Sequence, residues 1–488
     1  MKLSEYLAEL DYEVLAGTAD VDITEPVYDS RNVVPGCVFL CIRGLNFDGH
    51  DAAADAAAAG ARALIVEREI PAPEGVTVVK VESTRRALAY VSAAHFGHPA
   101  RELVTIGLTG TKGKTTTAHM IKKILETCGR KTGMMGTNGI FIGEERIPSV
   151  NTTPESYLVQ KYMRQMVDAG CTHLVMEVSS QGLMMDRVAG FTFDYGLFTN
   201  ISPDHIGPGE HANFEEYLGW KRQLLSRCRV GIVNRDDDHF NDIIQGHTCE
   251  LRTFSFEHDA DVRAENVRYI REGKLLGTAF HVCAVHPYEI RVSLPGLFNA
   301  VNALAAVAVT EDLDLPQEKV LEALENVRVN GRMEVVHTSD RLTVIVDYAH
   351  NALSMESLLQ TLRKYQPKRL VVVFGCGGNR SRLRRFEMGE IGGKLADLSI
   401  ITADNSRFEK VEDILADIKT GLAKTTGAFV EIPDRREAIF RSIVESQDGD
   451  MVAIIGKGHE DYQEICGKRT HFSDREEAEK ALQAAWIA

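Results

Sequence analysis

The chain of 488 residues carries 70 acidic and 55 Lys/Arg side chains, a formal net charge of −15, and is 44% hydrophobic and 26% charged. That balance is ordinary for a soluble globular protein, and it argues against nucleic acid or an anionic membrane surface as a general partner. Residues 1–9 lack the apolar core of a signal peptide, no run of about 18 apolar residues exists to span a bilayer, and the nine cysteines include no Cys-x-x-Cys, so the expectation is a reduced, cytoplasmic protein with neither zinc site nor disulfide framework.

At about 150 residues per domain the length predicts three domains. Residues 1–98 hold an alanine-rich helix, Ala52–Ala63, that feeds the apolar run Leu64-Ile65-Val66. They read as a small α/β domain ending near Phe96-Gly97-His98-Pro99. Residues 99–331 open on an apolar run, a glycine turn and a helical pattern with Ala118, Ile121, Ile124, Leu125 and Cys128 on one face. A helix at 155–169, a strand at Thr172–Val178 and the apolar Tyr195–Phe198 follow, the alternation of a parallel sheet with crossover helices. Short alternating strands across 260–294 predict an antiparallel excursion, and Asn299–Glu311 predicts a helix. Residues 332–488 repeat the rhythm. Strands are predicted at Leu342–Val346, Leu370–Phe374, Leu398–Thr402, Ala428–Ile432 and Met451–Ile455, so a C-terminal Rossmann-like domain is expected.

The most informative stretch is Gly110-Thr111-Lys112-Gly113-Lys114-Thr115-Thr116 between the first strand and helix of the central segment. Backbone N–H groups in such a loop, the helix dipole and a lysine together make a phosphate cradle. The Thr115 hydroxyl is placed to ligate the Mg²⁺ that accompanies ATP. Leu108 stands where the usual P-loop has its first glycine, so this is a tighter form. A chance glycine-rich βα turn is the bland alternative. Glu177 ends an apolar strand and reads either as a second Mg²⁺ ligand or as a helix-capping acid. Asp204-His205 follows another apolar strand. A histidine there binds metal or phosphate in some sites and is structural in most.

Several segments recur in one order: Gly110–Thr116, Asn151-Thr152-Thr153-Pro154, Glu177-Val-Ser-Ser180, Thr199-Asn-Ile-Ser-Pro-Asp-His205 and Tyr217-Leu-Gly-Trp-Lys221. Phe298-Asn-Ala-Val-Asn302, Gly331-Arg-Met-Glu334, Asp347-Tyr-Ala-His350 and Gly456-Lys-Gly-His-Glu460 complete the set. This pattern resembles the Mur ligase family, the ATP-dependent amide-forming enzymes of peptidoglycan synthesis, over nearly the whole chain. Asp29-Ser30-Arg31 and Arg43-Gly-Leu-Asn-Phe-Asp-Gly49 look like the UDP-binding domain of the members that add a diamino acid to UDP-MurNAc-L-Ala-D-Glu.

The resemblance implies three domains: 1–98 binding UDP-MurNAc, 99–331 binding ATP, and 332–488 binding the amino acid. It implies that ATP activates the D-Glu carboxylate as an acyl phosphate, which the amine then attacks. Lys114 would stabilise the migrating phosphoryl group, Thr115 and Glu177 would hold one Mg²⁺, and His205 a second. Lys221, on a helix predicted at 214–226, would be carbamylated and help hold the second metal; read from sequence alone it is a solvated lysine. Gly110, Thr111, Lys112, Gly113, Lys114, Thr115, Thr116, Asn302, Arg332, Asp347 and His350 fall where the family holds the nucleotide. Ser30, Asn46, Thr152, Thr153, Ser179 and Arg187 fall where it grips the UDP-MurNAc-dipeptide. Arg385, Asp404, Asn405, Arg407, Gly456 and Glu460 fall where diaminopimelate-adding members hold the amino acid.

The chain departs from the family pattern at Gln181 and Met185, in the segment 206–211, and at Ser406, which replaces the proline of the usual Asp-Asn-Pro-Arg. Two alternatives stay open: a lysine-adding ligase of the same fold, and a P-loop protein that uses ATP as a switch. Glu177, His205 and Lys221 together speak against the switch, which needs no second metal site. The expected partners are small-molecule substrates, and the expected state is a monomer.

Overall fold

The computed structural model describes all residues except 45–46, 205, 208–209, 274, 285–286 and 486–488. The chain is mixed α/β and built on parallel-rich sheets. By compactness it divides into two units, Met1–Val262 with Ala305–Pro316, and Arg263–Leu304 with Gln317–Ala488.

The first unit begins with a five-stranded sheet of β1 (Glu13–Ala16), β2 (Pro26–Val27), β3 (Val38–Leu40), β4 (Ala63–Val66) and β5 (Thr77–Lys80), in the order β1-β5-β4-β3-β2. All pairs are parallel except β1–β5. The alanine-rich helix is shorter than the sequence suggests. It runs Ala53–Ala58 and stops before Gly60, whose φ of 105° turns the chain towards β4.

The second sheet of this unit carries the glycine loop. Its strands are β6 (Val104–Thr109), β7 (Thr132–Gly136), β8 (Gly139–Ile142), β9 (Glu145–Ile147), β10 (His173–Glu177), β11 (Phe193–Phe198), β12 (Cys228–Asn234) and β13 (Glu250–Ser255). They lie in the order β13-β12-β11-β6-β10-β7-β8-β9, parallel from β13 to β7. Met163, Met166, Leu174, Met176, Phe193 and Phe198 pack in one core beneath the crossover helices. The helix expected over 214–226 is Phe214–Arg222, continued by a 3₁₀ turn at Gln223–Ser226.

Further along the chain β14 (Val262–Glu272), β15 (Leu275–Cys283) and β16 (Tyr288–Val292) form the expected antiparallel excursion, followed by the helix Leu297–Thr310. The C-terminal sheet contains β17 (Glu334–Thr338), β18 (Leu342–Asp347), β19 (Arg369–Phe374), β20 (Leu398–Ile401), β21 (Ala428–Glu431) and β22 (Asp450–Ile455). Its order is β17-β18-β22-β19-β20-β21, with only β17 antiparallel to its neighbour. A small hairpin, β23 (Tyr462–Ile465) with β24 (Lys468–His471), follows β22. Among the described residues no helix is long and apolar enough to cross a membrane.

Candidate active site

Parallel register aligns the carboxyl ends of the central strands, where open α/β sheets place their ligands. Glu177 on β10 pairs with Leu108 on β6, and Phe198 on β11 pairs with Thr109. The chain leaving β6 therefore emerges between Val178 and Thr199. Gly110, at φ 140°, crosses over Thr199 so closely that a Cβ would lie 2.1 Å from its hydroxyl. The loop is pinned from this neighbouring strand. Asn200 Oδ1 accepts the Lys112 N–H at 2.9 Å, and the Lys112 carbonyl accepts from Thr199 Oγ1 at 2.9 Å and Asn200 Nδ2 at 3.0 Å. Thr111 Oγ1 lies 3.2 Å from both the Ser202 carbonyl and Tyr217 Oη.

The helix Lys114–Thr127 starts directly on this loop, with Gly113 at φ 85° as its N-cap. Lys114 Nζ donates to the Gly110 carbonyl at 2.7 Å and to that of Thr111 at 3.2 Å. Thr115 Oγ1, one residue on, donates to Glu177 Oε2 at 2.9 Å. Glu177 is buried and tightly held. Oε1 accepts the Thr137 N–H at 3.0 Å, and Oε2 accepts Thr137 Oγ1 at 3.2 Å. Gly136 makes room for it, since a Cβ there would sit 2.2 Å from Oε1. The carboxylate thus faces the start of the P-loop helix and is no cap for the next one. Ser179 fills that role, accepting the Gly182 N–H at 3.0 Å.

Lys221 is not the solvated lysine its residue type suggests. It sits in the last turn of Phe214–Arg222 at 2% exposure, its Nζ 2.7 Å from the Gly110 carbonyl and 4.9 Å from the centre of the Tyr217 ring. Burial, reinforced by the Lys114 cation, holds its pKa well below a lysine's ordinary value, against the pull of Asp204. Lys114, Thr115, Glu177 and Lys221 are thereby gathered around one loop. His205 and Asn46 lie outside the described residues.

Beside this centre, Thr153 Oγ1 donates to the Glu177 carbonyl at 3.0 Å and accepts the Ser179 N–H at 2.9 Å, while Thr152 Oγ1 lies 3.1 Å from Thr137 Oγ1. Arg187 donates to the Thr153 carbonyl at 3.0 Å and pairs with Glu155 at 2.6 Å. Buried His211 places Nε2 2.8 Å from Ser180 Oγ. Ser30 lies in a short 3₁₀ turn, Ser30–Asn32, capped by Asp29 between β2 and β3. Thr137 escaped the sequence reading, though it carried a signal as the hydroxyl at the end of an apolar, glycine-bounded strand. Tyr217 opens the segment Tyr217–Lys221 and His211 ends the departing segment 206–211, but neither was given a role there.

The second unit holds the other expected residues. Asn302 Nδ2 donates to Asn299 Oδ1 at 3.0 Å. Asp347 accepts the N–H groups of Met333 and Ala349 at 2.7 Å each; burial pushes its pKa up, and Arg332 opposes the shift. Arg332 stacks 4.8 Å from the Tyr348 ring, and His350 Nδ1 lies 2.9 Å from the Tyr348 carbonyl. Burial lowers the His350 pKa.

At the carboxyl ends of β20 and β22, Asp404 and Asn405 meet Gly456 and Glu460. Asn405 Nδ2 donates to Glu460 Oε2 at 2.8 Å, and burial raises the Glu460 pKa, with Lys457 opposing. Arg407, at φ 51°, donates Nη1 to the Gly378 carbonyl at 2.6 Å. Buried Arg385 is committed to Glu409 at 2.9 Å and Asp417 at 3.0 Å. Two buried cations complete the frame, Lys457 from the quoted segment Gly456–Glu460 and Arg435, which the sequence reading did not single out. Lys457 is fully enclosed, and Arg435 donates to the carbonyls of Ala403 at 3.2 Å and Ile455 at 2.9 Å while pairing with Asp474 at 2.6 Å.

Known domain patterns cover most of the chain. Residues 22–96 match the Mur ligase family catalytic domain, 108–310 the Mur ligase middle domain, and 331–458 the Mur ligase glutamate ligase domain. The chain is 38% identical over 98% of its length to the UDP-N-acetylmuramoyl-L-alanyl-D-glutamate--2,6-diaminopimelate ligase of Clostridium perfringens, covering 98% of that protein. It is 40% identical over 99% to the enzyme of the same name from Bacillus licheniformis, covering 99% of it. A solved structure of a ligase of that name is 29% identical and superposes with a TM-score of 0.75 over 99% of both chains. The MurF ligase of Thermotoga maritima in complex with ADP, 18% identical over 96% of this chain and 98% of its own, shares the fold with a TM-score of 0.58. The chain belongs to the Mur ligase family.

Proposed function

We propose that this protein joins meso-diaminopimelate to UDP-MurNAc-L-Ala-D-Glu in an ATP-dependent, ADP-forming amide ligation of peptidoglycan precursor synthesis. The observation that carries the reading is the Thr115–Glu177 contact at the mouth of a phosphate loop, in a chain end-to-end similar to diaminopimelate ligases. The reaction has an electrostatic problem. A carboxylate resists attack by an amine because oxide is a poor leaving group. Phosphorylating the D-Glu carboxylate supplies a good one, and two anions must first be brought together.

The loop N–H groups and Lys114 supply positive charge for the nucleotide phosphates. Thr115 and Glu177 offer two hard oxygens 2.9 Å apart. That donor set fits Mg²⁺, which keeps water and phosphate oxygens in its remaining positions. When bound, the ion neutralises phosphate charge. Lys221 sits where its lowered pKa favours the neutral amine, the form that reacts with CO₂ to give a carbamate. In this reading Asn302, Arg332, Asp347 and His350 serve the nucleotide, and Thr152, Thr153, Ser179 and Arg187 the UDP-linked dipeptide. The protein acts as a cytoplasmic monomer on small-molecule substrates.

Meso-diaminopimelate differs from L-lysine by one distal carboxylate. Arg407 keeps donors beyond the one spent on Gly378 for that group, and Glu460 offers an acceptor to the distal amine. Binding lysine would leave the Arg407 fork without its partner, and sites of this kind reject such analogues by up to roughly 10⁴-fold. The test is phosphate release with UDP-MurNAc-L-Ala-D-Glu, ATP and each amino acid in turn. Release with meso-diaminopimelate is expected. A kcat/KM for L-lysine equal or higher would establish the lysine-adding alternative instead.

A further inference from the structure

Lys457 is a buried lysine whose shortest contact is to the side-chain amide of Asn405. Its Nζ is 3.1 Å from Asn405 Oδ1, 3.5 Å from Glu460 Oε2 and 4.0 Å from Asp404 Oδ1, and it lies 5.3 Å from the centre of the Tyr462 ring. The Glu464 N–H also donates to Asn405 Oδ1, at 2.9 Å. An ammonium and a backbone N–H can only donate, so the atom they share must be the carbonyl oxygen of the amide. Both lone pairs of that oxygen are then in use. The amide nitrogen is turned to Glu460 Oε2 at 2.8 Å, which occupies one of its two hydrogens. Asn405 is left with a single group to offer a ligand, the second Nδ2 hydrogen.

We infer that Lys457 is a positioning residue that sets amino-acid specificity by locking Asn405 as a hydrogen-bond donor. A flipped amide would turn a carbonyl towards Glu460 and repel it. In the locked state Asn405 and Arg407 both offer donors, suited to a carboxylate, while Glu460 offers the acceptor suited to an ammonium. The donor and acceptor groups are thus segregated, as the distal carboxylate and amine of a diamino diacid require. Asp404 Oδ1 accepts the Asn405 N–H at 2.6 Å, so the backbone at 405 is held as well as the side chain.

This inference rests on the diaminopimelate reading above, and one set of measurements separates the two. Full-length wild type, Lys457→Met, Lys457→Ala and Lys457→Arg are assayed for kcat and KM with meso-diaminopimelate and with L-lysine, alongside thermal melting. A wild type without preference for diaminopimelate overturns the parent reading. Given that preference, Met and Ala remove the side-chain donor and leave Asn405 Oδ1 with the Glu464 N–H alone. The ratio of kcat/KM values for diaminopimelate over lysine should fall at least tenfold, through KM for diaminopimelate, with KM for ATP and the UDP-substrate within threefold of wild type. Arg keeps a donor and should hold the ratio within threefold. A folded Met or Ala variant with an unchanged ratio overturns the inference, because a merely structural lysine would lower the melting temperature without altering selectivity. Should neither fold, Lys457→Arg decides, and a tenfold fall in its ratio is the overturning result.

Discussion

Glu177→Gln separates charge from shape at the phosphate loop. The glutamate receives three hydrogen bonds, from the Thr137 N–H on Oε1 and from the Thr115 and Thr137 hydroxyls on Oε2. Only the first donor is unable to turn around. A glutamine that keeps its carbonyl on the Thr137 N–H places its NH₂ against the two hydroxyls, and each can rotate to accept. The variant should therefore melt within about 2–4 °C of wild type, the shift expected for a loss near 1 kcal/mol in a domain of this size. Glu177→Ala instead strands the buried Thr137 N–H, at about 1–3 kcal/mol, and should melt roughly 4–8 °C lower. Activity should not follow stability. In the proposed role, glutamine removes the anion that would face the nucleotide's metal, and kcat should drop at least a hundredfold, about 2.7 kcal/mol of barrier. Phosphate release at saturating substrates and calorimetric melting give both numbers. A Glu177→Gln enzyme with more than a tenth of wild-type kcat, or one as unstable as Glu177→Ala, would refute the reasoning.

Lys114→Ala should lose more than nine-tenths of kcat, at least about 1.4 kcal/mol, while calorimetry finds the UDP-substrate affinity nearly unchanged. Lys221→Ala should be nearly inactive and partly restored by short carboxylic acids that mimic a carbamate; an unmodified ammonium beside a bound second Mg²⁺ in a crystal would contradict this. Lys221→Met should raise stability by about 0.5–2 kcal/mol near neutral pH. Because the folded-state pKa is lowered, the unfolded chain binds the extra proton, so the cost of burying Lys221 is full below the folded pKa and fades as pH rises towards about 10.5. The gap in melting temperature between Lys221→Met and wild type should accordingly narrow with rising pH, and a gap that widens refutes the assignment. Ser406 Oγ is buried without a partner. Ser406→Ala should thus stabilise by about 1 kcal/mol and leave the preference between amino acids intact; a lower melting temperature would count against it.

Much of the fold was legible because its strands are fully buried and apolar. Leu370–Phe374 and Met451–Ile455 reappear as β19 and β22 with one residue added to each. The strands that escaped break that pattern. β12 carries Arg229 and Gly231, β2 is two residues long, and β8 and β9 form a hairpin whose second strand is mostly exposed. The phosphate loop was readable because its chemistry is local to seven residues. Its supports were not. Asn200 and Tyr217 act on it from 88 and 106 residues away. Charged residues read worst, since composition makes every Lys and Arg a surface residue by default. Lys221, Arg385, Arg435 and Lys457 are all buried, each held by partners that the folded chain brings together.

Arg435 has a consequence for redesign of this enzyme. One side chain ties the residue before Asp404 to the residue before Gly456, and Asp474 anchors it from the last helix. The two loops that would read the amino acid thus hang from a common hinge pin, and neither is an independent module. A chimera that imports 404–407 from a relative with another preference would set it against a 456–460 segment and a Lys457 tuned to a different partner. Exchanges of preference belong to both loops at once, with the pin left in place.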